Sequence, residues 1–248
     1  MSRRDLLTGT LGALAVAGVA GSAFAQAAPA AGGAAGSLQP HKAIPLPAKV
    51  YGTAANGISA KTHDEHHKLY SGYVNKYNEI LAALRELAPD PAKANQTYSA
   101  IRELKVELTF AAGGVSNHEL FFDILGGDGK PSGKAADAIS SAYGSIENWM
   151  KDAKASAIAA RGWVWTAWDF NNAGVFNFIG DAQNTFPVWN ALPFIAIDTY
   201  EHAYYLDFQT ARGAYVDALF KSLDWSAINA RFEKALKARE ALEGAMFV

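Results

Sequence analysis

Asp198 and His202 stand four residues apart in the stretch Pro193 to Phe208, PFIAIDTYEHAYYLDF. On a helix starting at Asp198, that spacing puts a carboxylate oxygen and an imidazole nitrogen on one face, where they can grip one ion. The alternative is that Asp198 caps the helix while His202 packs in the core. Two further histidines interrupt apolar stripes of helical period. His66 heads a face that continues through Tyr70, Tyr73, Tyr77, Ile80, Leu84 and Leu87. His118 lies on a face with Leu104, Leu108, Ala111, Val115, Phe122 and Leu125. An inward histidine serves either as a satisfied core residue or as a ligand. Three imidazoles and one carboxylate together suit manganese, iron or zinc. The chain has no pair of Glu-x-x-His helices to bridge two ions, so a mononuclear site is expected. With no cysteine, thiolate sites, iron–sulfur clusters and disulfides are excluded.

These residues need elements to hold them. The stripe headed by His66 predicts a helix that opens at Ser59 and ends before Pro89 and Pro91. A second helix is expected from about Ala92 to Leu125, folding back on the first as a hairpin. An Ala-rich helical run, Ala135 to Ala160, is broken at Gly144. The period then changes: Trp163 to Ala167, Val175 to Ile179 and Phe194 to Ile197 read as three short strands. Helices return from His202 to about Leu223 and from Ser226 to Ala241. The expected fold class is α+β, an N-terminal long α-hairpin domain followed by a C-terminal α/β domain with a three-stranded antiparallel sheet. The boundaries are 1–25 for an export signal, 26–57 for a linker and extended strap, 58–127 for the hairpin and 128–248 for the mixed domain.

The first 25 residues read as a signal: paired Arg3 and Arg4, an apolar run rich in Ala, Gly and Leu, and a small-residue cut site ending at Ala25. The Ser2 to Leu7 start resembles a twin-arginine signal, which implies a periplasmic or otherwise exported protein, free of the membrane once the signal is removed. The formal charge of −2 has no basic footprint, so nucleic acid is not an expected partner.

Four blocks carry a resemblance to the iron and manganese superoxide dismutases: ISAKT with HH at Ile58 to His67, SNHELFF at Ser116 to Phe122, GWVW at Gly162 to Trp165, and DTYEHAYYLDF at Asp198 to Phe208. The last matches the family's Asp-x-Trp-Glu-His-Ala-Tyr-Tyr signature except that Tyr200 stands where Trp is usual. The resemblance implies His66, His118, Asp198 and His202 as ligands of one manganese or iron ion per subunit, superoxide as substrate, and a homodimer with Glu201 and Tyr205 at its interface. It also implies an active-site glutamine. Gly114 occupies the iron-type position and Gln183 the manganese-type one, so manganese is expected. Tyr73 is assigned as the gateway tyrosine, although it lies one residue nearer His66 than the family pattern. Tyr70 replaces the family's second histidine, and Trp163 walls the pocket. A registration with His63 as ligand would give up the ISAKT match, and His63 lies off the apolar stripe. Arg212 is expected either to draw in the anionic substrate or to serve at the surface.

Overall fold

The computed structural model describes residues 33–185 and 188–242, so the expected signal and most of the following linker lie outside the described residues. The described part begins with a strap along the first long helix, α1 (Ala60–Glu86). Arg85 donates to the Leu38 carbonyl at 2.9 Å, Asn78 pairs with both backbone groups of His41 at 2.8 Å, and the Ile44 amide donates to the Tyr70 hydroxyl at 3.0 Å. The fifteen-residue helical span from Arg85 back to Tyr70 rises about 22 Å. Six extended residues of strap cover about 20 Å, so the strap runs antiparallel to the helix with matched anchor points. It is not extended to its end, because Ala48–Asn56 coils into a 3-10 helix closed by Gly57 at φ 95°.

Ser59 caps α1 by accepting from the Thr62 amide at 3.2 Å. The partner helix α2 (Ala100–Asp123) begins eight residues later than the periodicity suggests. Asn95 explains the delay, since its side chain accepts from the amides of Thr97 and Tyr98 at 2.7 and 3.2 Å and offers the backbone a turn in place of a helix. Apolar faces of the two helices meet in a hairpin, with Leu81, Leu84 and Ala111 buried toward its far end.

The Ala-rich run divides into α3 (Gly133–Tyr143) and α4 (Ile146–Ala159) at Gly144, whose φ of 80° suits glycine. Three strands follow, β1 (Trp163–Asp169), β2 (Gly174–Gly180) and β3 (Ala191–Asp198). They form the expected antiparallel sheet in the order β2-β1-β3. Central β1 is buried along its whole length, which explains its largely apolar composition. Pro193, which cannot donate to a ladder, lies on an edge strand.

The helix expected to start at Asp198 does not form. Asp198 is the last residue of β3, paired with Trp163, and His202 belongs to a single 3-10 turn, Glu201–Ala203. The expected helix from His202 to Leu223 is in fact this turn, a one-turn helix α5 (Tyr205–Phe208) and α6 (Arg212–Phe220). The chain's last described helix, α7 (Trp225–Leu242), packs against α3 and β3. Among the described residues, no helix is long and apolar enough to cross a membrane.

Candidate metal centre

His66 lies in the second turn of α1, His118 near the end of α2, Asp198 at the exit of β3 and His202 in the turn beyond it. One potential ligand atom from each falls within 4.8 Å of the others. The convergence point is Asp198 Oδ2, which lies 3.1 Å from His66 Nε2, 3.2 Å from His202 Nε2 and 3.7 Å from His118 Nε2. The other carboxylate oxygen, Oδ1, accepts from the Tyr200 amide at 2.9 Å. Asp198 thus caps the chain reversal with one oxygen and faces the imidazoles with the other.

Hydrogen bonding fixes one tautomer. His118 Nδ1 is 2.6 Å from the Gly114 carbonyl, which only accepts, so Nδ1 carries the proton and Nε2 presents a lone pair. That Nε2 is buried without a hydrogen-bond partner and faces a carboxylate oxygen. Two acceptors facing each other in a buried site call for a cation between them. The donors therefore fit a metal ion of borderline hardness, and a backbone carbonyl orients the imidazole from outside as such sites require.

Electrostatics agree. Burial, reinforced by His66, pushes His118 down to about 3. Burial also lowers His66, against the pull of Asp198. For Asp198, burial opposes ionisation, but His202 and His66 outweigh it and hold the carboxyl far below the usual range. His202 is the least enclosed of the three imidazoles, with a side chain 25% exposed. Burial lowers its pKa, yet Asp198 raises it above the ordinary histidine value overall. The cluster thus holds a fixed negative charge and imidazoles that are neutral or readily made so, as metal ligation needs.

Gln183, Tyr73 and Trp163 assemble beside this cluster. Trp163 Nε1 donates to Gln183 Oε1 at 3.0 Å, which orients the amide so that Nε2 donates to the Tyr73 hydroxyl at 3.2 Å. The Tyr73 and Trp163 rings lie 5.4 and 5.2 Å from the His118 ring. Two glycines of α2 make room. A Cβ on Gly113 would lie 2.1 Å from the Gln183 carbonyl, and one on Gly114 would lie 2.6 Å from the Tyr73 ring. Glycine at 114 and glutamine at 183 are therefore parts of one packing solution.

Tyr70 is placed differently from Tyr73. Its ring is 6.4 Å from that of His118, but its hydroxyl turns to the strap, donating to Glu119 at 2.7 Å and accepting from Ile44. His63 is buried, not off the packed surface, and its Nε2 lies 2.7 Å from Thr53 Oγ1. It is not among the four clustered residues. Arg212 spends its guanidinium on Tyr204 and on the Ala160 carbonyl at 2.7 Å, closing the end of α4. Glu201 is exposed, and Tyr205 is 45% exposed. Tyr200 stacks on His202, ring centroids 5.3 Å apart. Sequence reasoning passed over Asn117, whose amide donates to the Gln183 carbonyl at 3.1 Å and whose oxygen accepts from Trp165 at 3.2 Å. The available signal was an amide side chain directly before a ligand candidate.

A helical hairpin joined to a small antiparallel α/β unit, with three imidazoles and a carboxylate converging from both, defines a mononuclear metalloprotein. Residues 44–126 match the alpha-hairpin domain of iron/manganese superoxide dismutases, and residues 131–231 match the C-terminal domain. The chain belongs to the iron/manganese superoxide dismutase family, a family of oxidoreductases. It is 46% identical over 192 residues to the superoxide dismutase [Fe] of Aquifex aeolicus, covering 75% of this chain and 90% of that protein. It is 35% identical over 184 residues to superoxide dismutase [Mn] 1 of Halobacterium salinarum, covering 72% and 86%. To the superoxide dismutase [Mn] of Listeria innocua it is 32% identical over 192 residues, covering 75% and 94%. Relatives named for each metal are thus present.

Proposed function

We propose that the chain disproportionates superoxide at a single manganese ion held by His66, His118 and His202 through Nε2 and by Asp198 through Oδ2. The observation that carries this reading is the meeting of three imidazole nitrogens at one carboxylate oxygen, with His118 locked as an acceptor. Bound there, a redox-active ion supplies the one-electron steps by which two superoxide anions and two protons become dioxygen and hydrogen peroxide. The rest falls to the protein. Asp198 brings the negative charge that favours the oxidised ion. Tyr73 holds a phenolic proton, its pKa raised first by burial, within reach of the Gln183 amide. Trp163 and Asn117 both donate to its Oε1, at 3.0 and 3.4 Å, and keep that amide from rotating. His202, partly exposed, marks the side from which a small anion enters.

The placement of Gln183 against Tyr73, with glycine at 114, supports manganese. A second reading, iron, rests on the similarity to the Aquifex aeolicus protein. Metal analysis of purified protein, followed by activity after stripping and reloading with either ion, separates them. Dismutation with manganese alone supports the first, and iron-dependent turnover sensitive to peroxide supports the second. Bound metal with no turnover from either ion overturns the enzymatic reading.

The protein is exported with its signal cut after Ala25, and it works as a homodimer. The twin-arginine-like start supports export. Pairing is supported by an open cleft of about 630 Å³ lined by Ile158, Arg161, Tyr200, Glu201 and His202, beside exposed Tyr205. A mature N-terminus at Gln26 in the exported fraction, lost when Arg3 and Arg4 become lysine, checks the address. Light scattering of wild type against Glu201→Ala checks the dimer.

A further inference from the structure

Tyr70 and Glu119 meet where neither touches the centre of the ion site. Tyr70 lies one helical turn beyond His66 on α1, and Glu119 directly follows His118 on α2. The fully buried Tyr70 hydroxyl donates to Glu119 Oε1 at 2.7 Å. Among the described residues, no second side-chain hydrogen bond joins these two helices. Elsewhere their contact is apolar and aromatic packing, along which packed helices can shear by small amounts. The strap closes the arrangement from outside. His41 Nε2 lies 2.6 Å from the same Oε1, and the Ile44 amide donates to the Tyr70 oxygen at 3.0 Å.

We infer that Tyr70 and Glu119, closed by His41 and Ile44 of the strap, are positioning residues that form a brace fixing the register of α1 against α2, and with it the separation of His66 from His118. This rests on the four-residue ion site proposed above. The two imidazoles are the ligand candidates carried on separate helices, so sliding of one helix changes their spacing directly. The Tyr70–Glu119 bond sits within one turn of each. The Tyr70 hydroxyl gives its proton to Glu119 and accepts one bond from Ile44. Loss of the hydroxyl therefore leaves the Ile44 amide without its partner and Glu119 Oε1 held by His41 alone.

Cobalt(II) loaded into the full-length folded protein is the probe, because its visible bands report ligand geometry. Tyr70→Phe and Glu119→Ala are each expected to shift those bands and to speed cobalt loss to a chelator by about tenfold. The double variant should be no worse than the larger single effect. Glu119→Gln, which keeps an acceptor oxygen, should restore bands and rate. Unchanged bands in both single variants, single effects that multiply in the double, or a lowered Tm with unmoved bands each overturn the brace. If Tyr70→Phe does not fold, Glu119→Ala against Glu119→Gln decides alone. Asp198→Ala with His202→Ala isolates the underlying site. If that variant still binds cobalt with wild-type bands, the ion lies elsewhere and the site reading falls with the brace.

Discussion

His118 Nε2 and Asp198 Oδ2 face each other across 3.7 Å with no proton to share, because the His118 proton is committed to Gly114 on the opposite nitrogen. The ion-free fold therefore carries an electrostatic cost at its centre, and a cation relieves it.

Ion binding should accordingly appear as stability. Manganese or iron at about 100 times its Kd adds about 2.7 kcal/mol to unfolding. Asp198→Asn keeps the shape but removes the charge on which the imidazoles converge, so it is expected to bind the ion at least about tenfold more weakly. Thermal unfolding with and without added ion measures both effects. Equal Tm shifts in wild type and Asp198→Asn would contradict the assignment.

Gly114→Ala tests whether glycine there is a packing requirement. Its Cβ would meet the Tyr73 ring at 2.6 Å, so Tyr73 must move or α2 must shift. Overpacking of this kind costs about 1–3 kcal/mol. The larger consequence falls on activity, since the Gln183 bond to the Tyr73 hydroxyl is broken. A loss of turnover exceeding the loss of ion affinity is the expected pattern. A variant with wild-type turnover would show that the Tyr73–Gln183 contact is dispensable.

His63 sets an acid limit on the ion-free fold. Burial pushes its pKa down from 6.5 to about 4. The folded value lies below the unfolded one, so the unfolded chain takes up the proton first as pH falls. Stability from neutral His63 is whole above about pH 6.5 and drains away toward about pH 4, at about 1.4 kcal/mol per pH unit. The full loss is on the order of 3 kcal/mol by the same relation. Urea unfolding of ion-free protein across this window should show a decline to which buried His66 and His118 also contribute, and His63→Gln should make it shallower by the His63 share. An equally steep profile in the variant would place the titration elsewhere.

The four clustered residues were legible because their spacing and their blocks are local in sequence, whereas the route joining them was not. An i, i+4 separation fits a helix face, but it also fits a strand that ends at Asp198 and turns back through one 3-10 turn to His202. Both paths bring the side chains together, so spacing cannot choose between them. His63 lies outside the ligand cluster as expected, but it is buried although it reads off the apolar stripe, for a related reason. Its partner Thr53 comes from Ala48–Asn56, a 3-10 helix where the prolines before it and the glycines at 52 and 57 suggest an extended strap. A stripe drawn on one helix cannot register a face covered by a segment whose shape is unknown. The sheet was readable because β1 is mostly apolar and its neighbours are bounded by turn residues. The start of α2 was lost to Asn95, whose side chain competes for the backbone.

Asp207 links the end of the same block back to the first ligand helix. Its Oδ2 accepts from the Ser59 amide at 2.8 Å and from the Thr62 hydroxyl at 2.6 Å, so the N-terminus of α1 is held from a segment 148 positions away in sequence. A carboxylate there also complements the positive end of the helix dipole. These bonds hold its Asp207 carboxyl below the usual range even though burial opposes this. Asp207→Ala removes both bonds, and cap losses of this kind cost about 1–2 kcal/mol. Because His66 sits within the first two turns of α1, fraying should weaken ion retention as well as lower Tm. Asp207→Asn retains an acceptor and should recover most of the Tm. Chelator-driven ion release measured beside thermal unfolding distinguishes the outcomes. Lowered Tm with unchanged release would mean that the cap supports the fold but not the ligand.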